Sequence, residues 1–167
     1  ASEVDALALG RDSLAAAIGA SAFGQGAQAK ALRATALGFS SEALAADSIA
    51  IGDATATSTR AIAMGVGARG GPALNTGVNT VAIGNNAYAR NTNSIALGTN
   101  ANTGTDAGGG IGAIAIGLDS RADANGGVAI GQGAQAYASN GQLSLPGVAI
   151  GRFAIASVRN ATAVGPG

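Results

Sequence analysis

The sequence contains no cysteine, no histidine and no tryptophan, and the first two absences remove most catalytic and metal-site chemistry. Common zinc, copper and haem sites use imidazole or thiolate ligands, and the Ser-His and Cys-His catalytic pairs need the same groups. We therefore predict that the protein is not an enzyme and that it uses no cofactor. Asp and Asn could offer oxygens to calcium, but the Gly-Gly-x-Gly-x-Asp repeat of calcium-binding rolls is missing, so no motif supports a metal site. The lack of cysteine fits a reducing cytosol as well as a bacterial surface protein that crosses a membrane without cross-links, so the compartment stays open.

Charged and aromatic side chains are scarce. Charged residues make up 11 % of the chain, and nine basic residues balance nine acidic ones. Binding to nucleic acid or to an anionic membrane surface depends on clustered Lys and Arg, so we expect neither partner. Aromatic residues make up 3 % and hydrophobic residues 47 %, which indicates an ordered chain with a thin core. No apolar run reaches the roughly 18 residues of a spanning helix, so we expect a domain that does not insert into a membrane.

What the sequence has in abundance is a repeated word of four residues, mostly hydrophobic-Ala-hydrophobic-Gly. Eleven copies cover the chain: Leu7-Ala8-Leu9-Gly10, Ser21-Ala22-Phe23-Gly24, Thr35-Ala36-Leu37-Gly38, Ile49-Ala50-Ile51-Gly52, Ile62-Ala63-Met64-Gly65, Val81-Ala82-Ile83-Gly84, Ile95-Ala96-Leu97-Gly98, Ile114-Ala115-Ile116-Gly117, Val128-Ala129-Ile130-Gly131, Val148-Ala149-Ile150-Gly151 and Thr162-Ala163-Val164-Gly165. Successive glycines are 14, 14, 14, 13, 19, 14, 19, 14, 20 and 14 residues apart, so the unit is 14 residues with three insertions.

A second pattern follows each glycine. The third residue after it is small in every complete copy: Ser13, Ala27, Ser41, Thr55, Ala68, Ala87, Ala101, Ser120, Ala134 and Ala154. The fourth residue varies freely: Leu14, Gln28, Glu42, Ala56, Arg69, Tyr88, Asn102, Arg121, Gln135 and Ile155. This alternation of small and variable residues is typical of a strand with one buried face.

The recurring glycines and the β-branched residues at fixed positions disfavour helices, and no helical spacing of apolar residues persists. Two short strands and two turns in 14 residues make one coil of a β-solenoid, in which equivalent strands of successive coils pair in parallel. Eleven coils at about 4.8 Å each predict a rod about 50 Å long. We interpret the glycine of each word as a turn residue with positive φ or a close backbone approach, rather than as part of a phosphate-binding loop.

The word predicts a strand that is covered on both faces. A strand that is buried on one face only would carry polar residues on its other face, whereas this strand carries apolar residues on both faces. We expect its large residues to point into the roll, against the small residues of the second strand, and its alanines to form a flat outer strip for self-association. The reverse assignment, with Ala inside and the large residues between subunits, stays open. Either arrangement exposes apolar surface on a single chain, so we predict an oligomer.

The repeated word resembles the head domains of the YadA-like trimeric autotransporter adhesins, whose repeat is an Asn-Ser-Val-Ala-Ile-Gly-x-x-Ser-type word. The likeness is carried by Ser48-Ile49-Ala50-Ile51-Gly52 and by Asn93-Ser94-Ile95-Ala96-Leu97-Gly98-Thr99-Asn100-Ala101. It implies one domain over residues 1–167, an all-β, left-handed parallel β-roll of about eleven 14-residue coils, assembled as a homotrimer. It further implies a Gram-negative cell surface location, anchored in the outer membrane through regions outside this sequence, and adhesion to host cells or extracellular matrix proteins. We expect the chain to be a head excised from a longer protein.

The three insertions fall in the same phase of the repeat, between the second strand and the next word, and are expected to lie near one end of the rod. They are either tolerated bulges that pack on a neighbouring subunit or ligand-contacting loops. The candidate ligand-binding residues are those of the insertions and of the outward positions: Arg69, Asn75, Asn79, Tyr88, Asp106, Arg121, Tyr137, Asn140 and Gln142. Solvated surface decoration is the alternative for each of the outward ones, and a symmetric oligomer would multiply weak contacts.

Three other functions compete with adhesion. Hexapeptide acyltransferases repeat every six residues and use a catalytic histidine, and this chain has neither feature. An ice-binding solenoid needs a regular ladder of threonines, whereas only one coil carries Thr55, Thr57 and Thr59 in the equivalent positions. The remaining alternative is a structural spacer that projects a separate binding module from the cell surface.

Overall fold

A computed structural model describes residues 3–71, 78–104, 110–137, 146–158 and 160–167. The described residues form strands joined by turns, bends and irregular segments, and none of them lies in a helix that could cross a membrane. Each coil begins with a three-residue strand made by the repeated word. A turn follows, then a two-residue strand, then a second turn that leads to the next coil. We number the coils 1 to 11 from Leu7.

The strands of the words form sheet A. They are β1 (Leu7–Leu9), β3 (Ser21–Phe23), β5 (Thr35–Leu37), β7 (Ile49–Ile51), β9 (Ile62–Met64), β11 (Val81–Ile83), β13 (Ile95–Leu97), β15 (Ile114–Ile116), β17 (Val128–Ile130), β19 (Val148–Ile150) and β21 (Thr162–Val164). The second strands form sheet B. They are β2 (Leu14–Ala15), β4 (Gln28–Ala29), β6 (Glu42–Ala43), β8 (Thr55–Ala56), β10 (Arg69–Gly70), β12 (Tyr88–Ala89), β14 (Asn102–Thr103), β16 (Arg121–Ala122), β18 (Gln135–Ala136) and β20 (Ile155–Ala156).

Both sheets are parallel and follow the order of the chain, with eleven strands in sheet A and ten in sheet B. Equivalent residues of successive words pair, for example Ala82 with Ala96 and Ala96 with Ala115. The insertions do not shift this register, because Ile62 pairs with Val81 across a 19-residue interval. The prediction of an all-β parallel β-roll built from the repeated word is confirmed.

The preferred assignment of the two faces of the word is wrong: the alanines lie inside the roll and the large residues outside it. The central alanines point into the roll and are fully buried, as Ala50, Ala82, Ala96, Ala115, Ala129 and Ala149 show. The flanking large residues are half-buried or exposed on the outside: Ile49, Ile51, Val81, Ile83, Ile95, Leu97, Ile114, Ile116, Val128, Ile130, Val148 and Ile150.

The reason for this inversion is the size of the coil. Strands of three and two residues enclose a space so narrow that a Cβ added to Gly70 would lie 3.2 Å from the Cβ of Ala61. The interior therefore takes methyl and hydroxymethyl groups, and its core clusters consist of alanines, with buried Ser48, Ser94 and Thr80 beside them. Close packing here is reached with small side chains on both sheets rather than with large side chains against small ones.

The 13-residue coil shortens its turn, and this shifts one predicted position. Thr55 pairs with Glu42 and Ala56 pairs with Ala43, so the missing residue lies in the turn directly after Gly52. Ala54 and Ala56 are consequently buried, and Thr55 points outward. The prediction that Thr55 points inward and Ala56 outward is wrong by one position. It assumed that every coil has the same number of residues between the glycine and the second strand.

The glycine of every word has a positive φ, which confirms its interpretation as a turn residue. At Gly84 φ is 133°, and an added Cβ would lie 2.5 Å from the carbonyl oxygen of Gly98 in the next coil. The turn therefore needs glycine for two reasons: the backbone conformation is left-handed, and the next coil stacks directly on the Cα atom.

Candidate binding surface

The outer face of sheet A is an aliphatic strip that runs the length of the roll. It carries the first and third residues of all eleven words, and the exposed fraction of these side chains is 66 % at Leu9, 45 % at Leu37 and 39 % at Ile150. Eleven strands of three residues span roughly 50 by 10 Å. The strip is apolar except at Ser21, Thr35 and Thr162, and a mostly apolar face of about 500 Å² lies at the upper end of what soluble monomers expose, so it is the face suited to association.

The outer face of sheet B is polar from coil 3 to coil 9, and this part is the candidate ligand-binding surface. Its first column consists of the leading residues of β6, β8, β10, β12, β14, β16 and β18, which stack in register: Glu42, Thr55, Arg69, Tyr88, Asn102, Arg121 and Gln135. The second column consists of the residues that follow these strands: Leu44, Thr57, Gly71, Arg90, Gly104, Asp123 and Tyr137. Backbone hydrogen bonds hold this column in register, as from Thr57 N to the Gly70 carbonyl and from Gly71 N to the Ala89 carbonyl.

Arg90 is held in place over the ring of Tyr88. Its guanidinium carbon lies 4.0 Å from the ring centroid, which is a cation–π geometry. Its Nε donates a hydrogen bond to Oδ1 of Asn102 at 3.3 Å, and its backbone N–H donates to Oγ1 of Thr103 at 3.3 Å. The positive charge is thus fixed against the surface of sheet B between two coils.

Arg121 and Asp123 form an ion pair two coils further along. Nε of Arg121 donates to Oδ2 of Asp123 at 2.5 Å, and the side chains are 53 % and 7 % exposed, respectively. Oδ1 of Asp123 is buried and has no hydrogen-bond partner within the described part of the chain. Burial raises the pKa of Asp123, and the neighbouring Arg121 opposes this shift in part. The pair therefore presents a guanidinium at the surface over a largely covered carboxylate.

A notch with a volume of about 250 Å³ lies on this face, beside Gly71 in the second column. The notch is lined by Glu42, Thr55, Thr57, Arg69, Gly71 and Tyr88. One carboxylate, one guanidinium, two hydroxyl groups and an aromatic ring thus meet in one small depression.

The structure brings four of the predicted candidate residues to one face and separates one from them. Arg69, Tyr88, Arg121 and Tyr137 lie on the outer face of sheet B, whereas Asn79 lies in the turn that leads to the next word. There Asn79 belongs to a ladder between coils, because it accepts a hydrogen bond from Nε of Arg60 at 2.7 Å and donates one to Oδ1 of Asn93 at 2.9 Å. The other candidates lie outside the described residues: Asn75, Asp106, Asn140 and Gln142.

Sequence reasoning missed Glu42 as part of a site, and it did not single out Thr57 and Arg90 for binding. A signal for the last two was available, because each stands two residues after an outward position of a second strand. The last described residues before the parts of the three insertions that lie outside the described ranges are Gly71, Gly104 and Tyr137, which lie in the same turn of coils 5, 7 and 9, in agreement with their predicted common phase. The expectation that the insertions lie near one end of the rod is wrong, because these coils follow one another along one side of it.

No cluster that suits a metal ion is present in the described ranges, where no three Asp or Glu side chains come together. The chain as a whole has no His or Cys to supply further ligands. The arrangement on sheet B is suited to non-covalent recognition by charge, hydrogen bonds and ring stacking.

Comparisons with known proteins agree with this architecture. The family model described as the YadA head domain repeat, which represents two copies, matches residues 1–27, 29–54, 76–101, 109–140 and 147–167. Among solved structures, the crystal structure of the collagen-binding domain of the Yersinia adhesin YadA aligns with a TM-score of 0.63 at 23 % sequence identity, covering 98 % of this chain and 82 % of that one. No curated protein matches the sequence. The family model covers most of the chain, so the protein belongs to the YadA head domain repeat family.

Proposed function

We propose that this protein is the head of a bacterial surface adhesin, that it works as a homotrimer, and that it attaches the cell to a matrix protein such as collagen or to the host cell itself. The observation that carries this proposal is the division of the roll into an aliphatic outer face on sheet A and a polar outer face on sheet B. Membership in the YadA head domain repeat family and the likeness to a collagen-binding head support the adhesive role.

The aliphatic strip supports the trimer. Ile83, Leu97 and Ile116 stack on successive coils of β11, β13 and β15 with their side chains directed out of the roll. Burying these rows among three parallel rods would stabilise the assembly by about 25 cal/mol for each Å² of apolar surface that is removed from water. The alanine core within each roll is thin, so burial between subunits is expected to contribute a large part of the stability.

The polar face supports the adhesive role. In a trimer whose apolar strips meet at the axis, the three copies of sheet B face outward and repeat each weak contact three times. A repeated polymer such as collagen presents its own contacts periodically, so simultaneous engagement raises the apparent affinity by roughly 10² or more over that of one subunit.

The test measures binding of the purified protein to immobilised collagen, fibronectin and laminin by surface plasmon resonance. We expect saturable binding to at least one of them, and at least about hundredfold weaker binding by the variant Ile83→Asp, which places a charge in the strip. Asn85→Asp introduces the same charge two residues away in an exposed turn and serves as the matched control. A folded trimer that binds none of the three proteins and no epithelial cells would contradict adhesion and favour the spacer.

A further inference from the structure

The notch has the chemistry of a small-ligand site within the polar face of sheet B. Its volume of about 250 Å³ lies below the range for drug-sized ligands and is suited to a unit of one ring. Arg69 is exposed at its rim, Glu42 lies on the opposite side two coils away, and Tyr88 provides a flat ring on the third side.

The charge on this part of sheet B is positive. Between coils 3 and 9 the described charged side chains of the two columns are Glu42, Arg69, Arg90, Arg121 and Asp123. Asp123 is paired with Arg121 at 2.5 Å, which leaves Glu42 as the acidic group not engaged in a described ion pair. Arg90 lies one coil from Arg69, and Arg121 lies three coils from it. At about 4.8 Å per coil, Arg121 is roughly 14 Å from Arg69 along the rod. The chain has no net charge, so this concentration of arginines is local.

The notch combines the groups that recognise an acidic sugar. A guanidinium binds a carboxylate or sulfate through two parallel N–H donors, and an arginine is suited to this task better than a lysine. The hydroxyl groups of Thr55 and Thr57 and the carboxylate of Glu42 offer hydrogen bonds to sugar hydroxyl groups. The ring of Tyr88 provides an apolar platform for the C–H face of a pyranose, and Arg90, stacked on that ring, adds a second positive charge at 4.0 Å from its centroid.

We propose that this notch binds one acidic sugar residue of a glycan, with its carboxylate or sulfate group at Arg69 and its ring against Tyr88. The arginines further along sheet B then attract the rest of an anionic glycan chain. This ligand class differs from a matrix protein, so the proposal does not depend on collagen binding.

The test uses the whole protein and a panel of defined probes: sialyllactose and lactose as one pair, and a heparin-derived oligosaccharide and its desulfated form as the other. Apparent Kd values come from biolayer interferometry on surfaces that carry each probe. We expect the acidic member of at least one pair to bind roughly tenfold or more tightly than its neutral or desulfated partner, and binding to weaken as salt rises. The pair that responds identifies the source of the acidic sugar.

Three variants locate the site. Arg69→Ala is expected to weaken binding of the acidic probe by roughly tenfold to hundredfold, because a charged hydrogen-bonded pair is lost. Glu42→Gln removes the opposing charge and is expected to strengthen binding about two- to fivefold. Arg11→Ala is the control, since Arg11 is also an exposed arginine but lies in a turn away from the notch. Circular dichroism confirms that each variant is folded.

Several results would overturn the proposal. One is equal binding of acidic and neutral probes, and another is the absence of binding to any probe. A third is an Arg69→Ala variant that binds like Arg11→Ala. A Glu42→Gln variant that loses binding while Arg69→Ala retains it would show that the sugar is held by Glu42 and not by Arg69. Collagen binding, measured separately on the same preparations, tells whether the adhesive proposal stands in each of these cases.

Discussion

Replacing the turn glycine Gly84 by alanine tests the stacking of the coils. Its φ is 133°, and an added Cβ would lie 2.5 Å from the carbonyl oxygen and 2.6 Å from the carbonyl carbon of Gly98. The next coil must then move by several tenths of an ångström or more, against the hydrogen bond from Gly98 N to the Ile83 carbonyl at 2.8 Å. Left-handed strain costs about 1–2 kcal/mol, and overpacking costs typically another 1–3 kcal/mol, so we expect a total loss near 4 kcal/mol.

Gly52 provides the matched control within the same chain. Its φ is also positive, at 86°, but the nearest atoms to an added Cβ belong to Gly65 and lie at 3.7 Å, which is ordinary van der Waals contact. The shortened turn of the 13-residue coil creates this space. The variant Gly52→Ala therefore carries the conformational strain without the clash, and we expect a loss of about 1 kcal/mol.

Thermal unfolding followed by circular dichroism separates the two variants, at equal protein concentration because association contributes to Tm. For a domain of this size 1 kcal/mol corresponds to about 2–4 °C, so Gly52→Ala should lower Tm by about 2–4 °C and Gly84→Ala by roughly 8–16 °C. Equal losses in the two variants, or a smaller loss for Gly84→Ala, would refute the argument that direct backbone contact between coils requires glycine.

The remaining predictions concern the association face, the core and the buried carboxylate. Ile83→Asp should convert the trimer to monomers in sedimentation velocity, and Asn85→Asp should not. Ala96→Leu overfills a core of methyl groups and should cost about 3 kcal/mol, measured by urea unfolding; a cost below 1 kcal/mol would contradict the alanine interior. Because burial raises the pKa of Asp123, the folded state binds its proton more tightly and stability should fall as pH rises above about 4, a slope that Asp123→Asn removes. A hydrogen bond from Arg33 lowers the pKa of Asp47, so the stability that its carboxylate contributes should be lost as pH falls below about 4. Asp47→Asn should therefore remove a loss of stability at acidic pH, whereas Asp123→Asn removes a loss at higher pH.

The repeated word was sufficient to predict the strands, their parallel stacking and the turn glycines, because eleven copies in one phase leave few other arrangements. It was not sufficient to decide which face of the word lies inside. Ile95 and Leu97 on one face and Ala96 on the other are all apolar, so hydrophobicity does not distinguish the two orientations. The width of the coil decides it, and that width depends on the turn geometry of both sheets.

Other features depended on details of the turns. Arg33 adopts φ 53° and Asp47 φ 59° in the turn before the next word, where a bidentate ion pair joins them across coils at 2.5 and 2.9 Å. Asn, Asp and Gly are the residues most often found with a positive φ, so the arginine at position 33 did not predict a left-handed turn residue. Likewise, Glu42 and Arg69 stack in one column only because Thr55 lies between them in the shortened coil. Counting residues from the glycine of that coil placed Ala56 there instead.

The molar mass in solution, measured by light scattering over a range of concentrations, tests the central claim that the aliphatic face of sheet A is buried among three chains. The account predicts about 47 kDa, three times the 15.7 kDa of one chain. A folded protein that scatters as a 15.7 kDa particle at every concentration would contradict it.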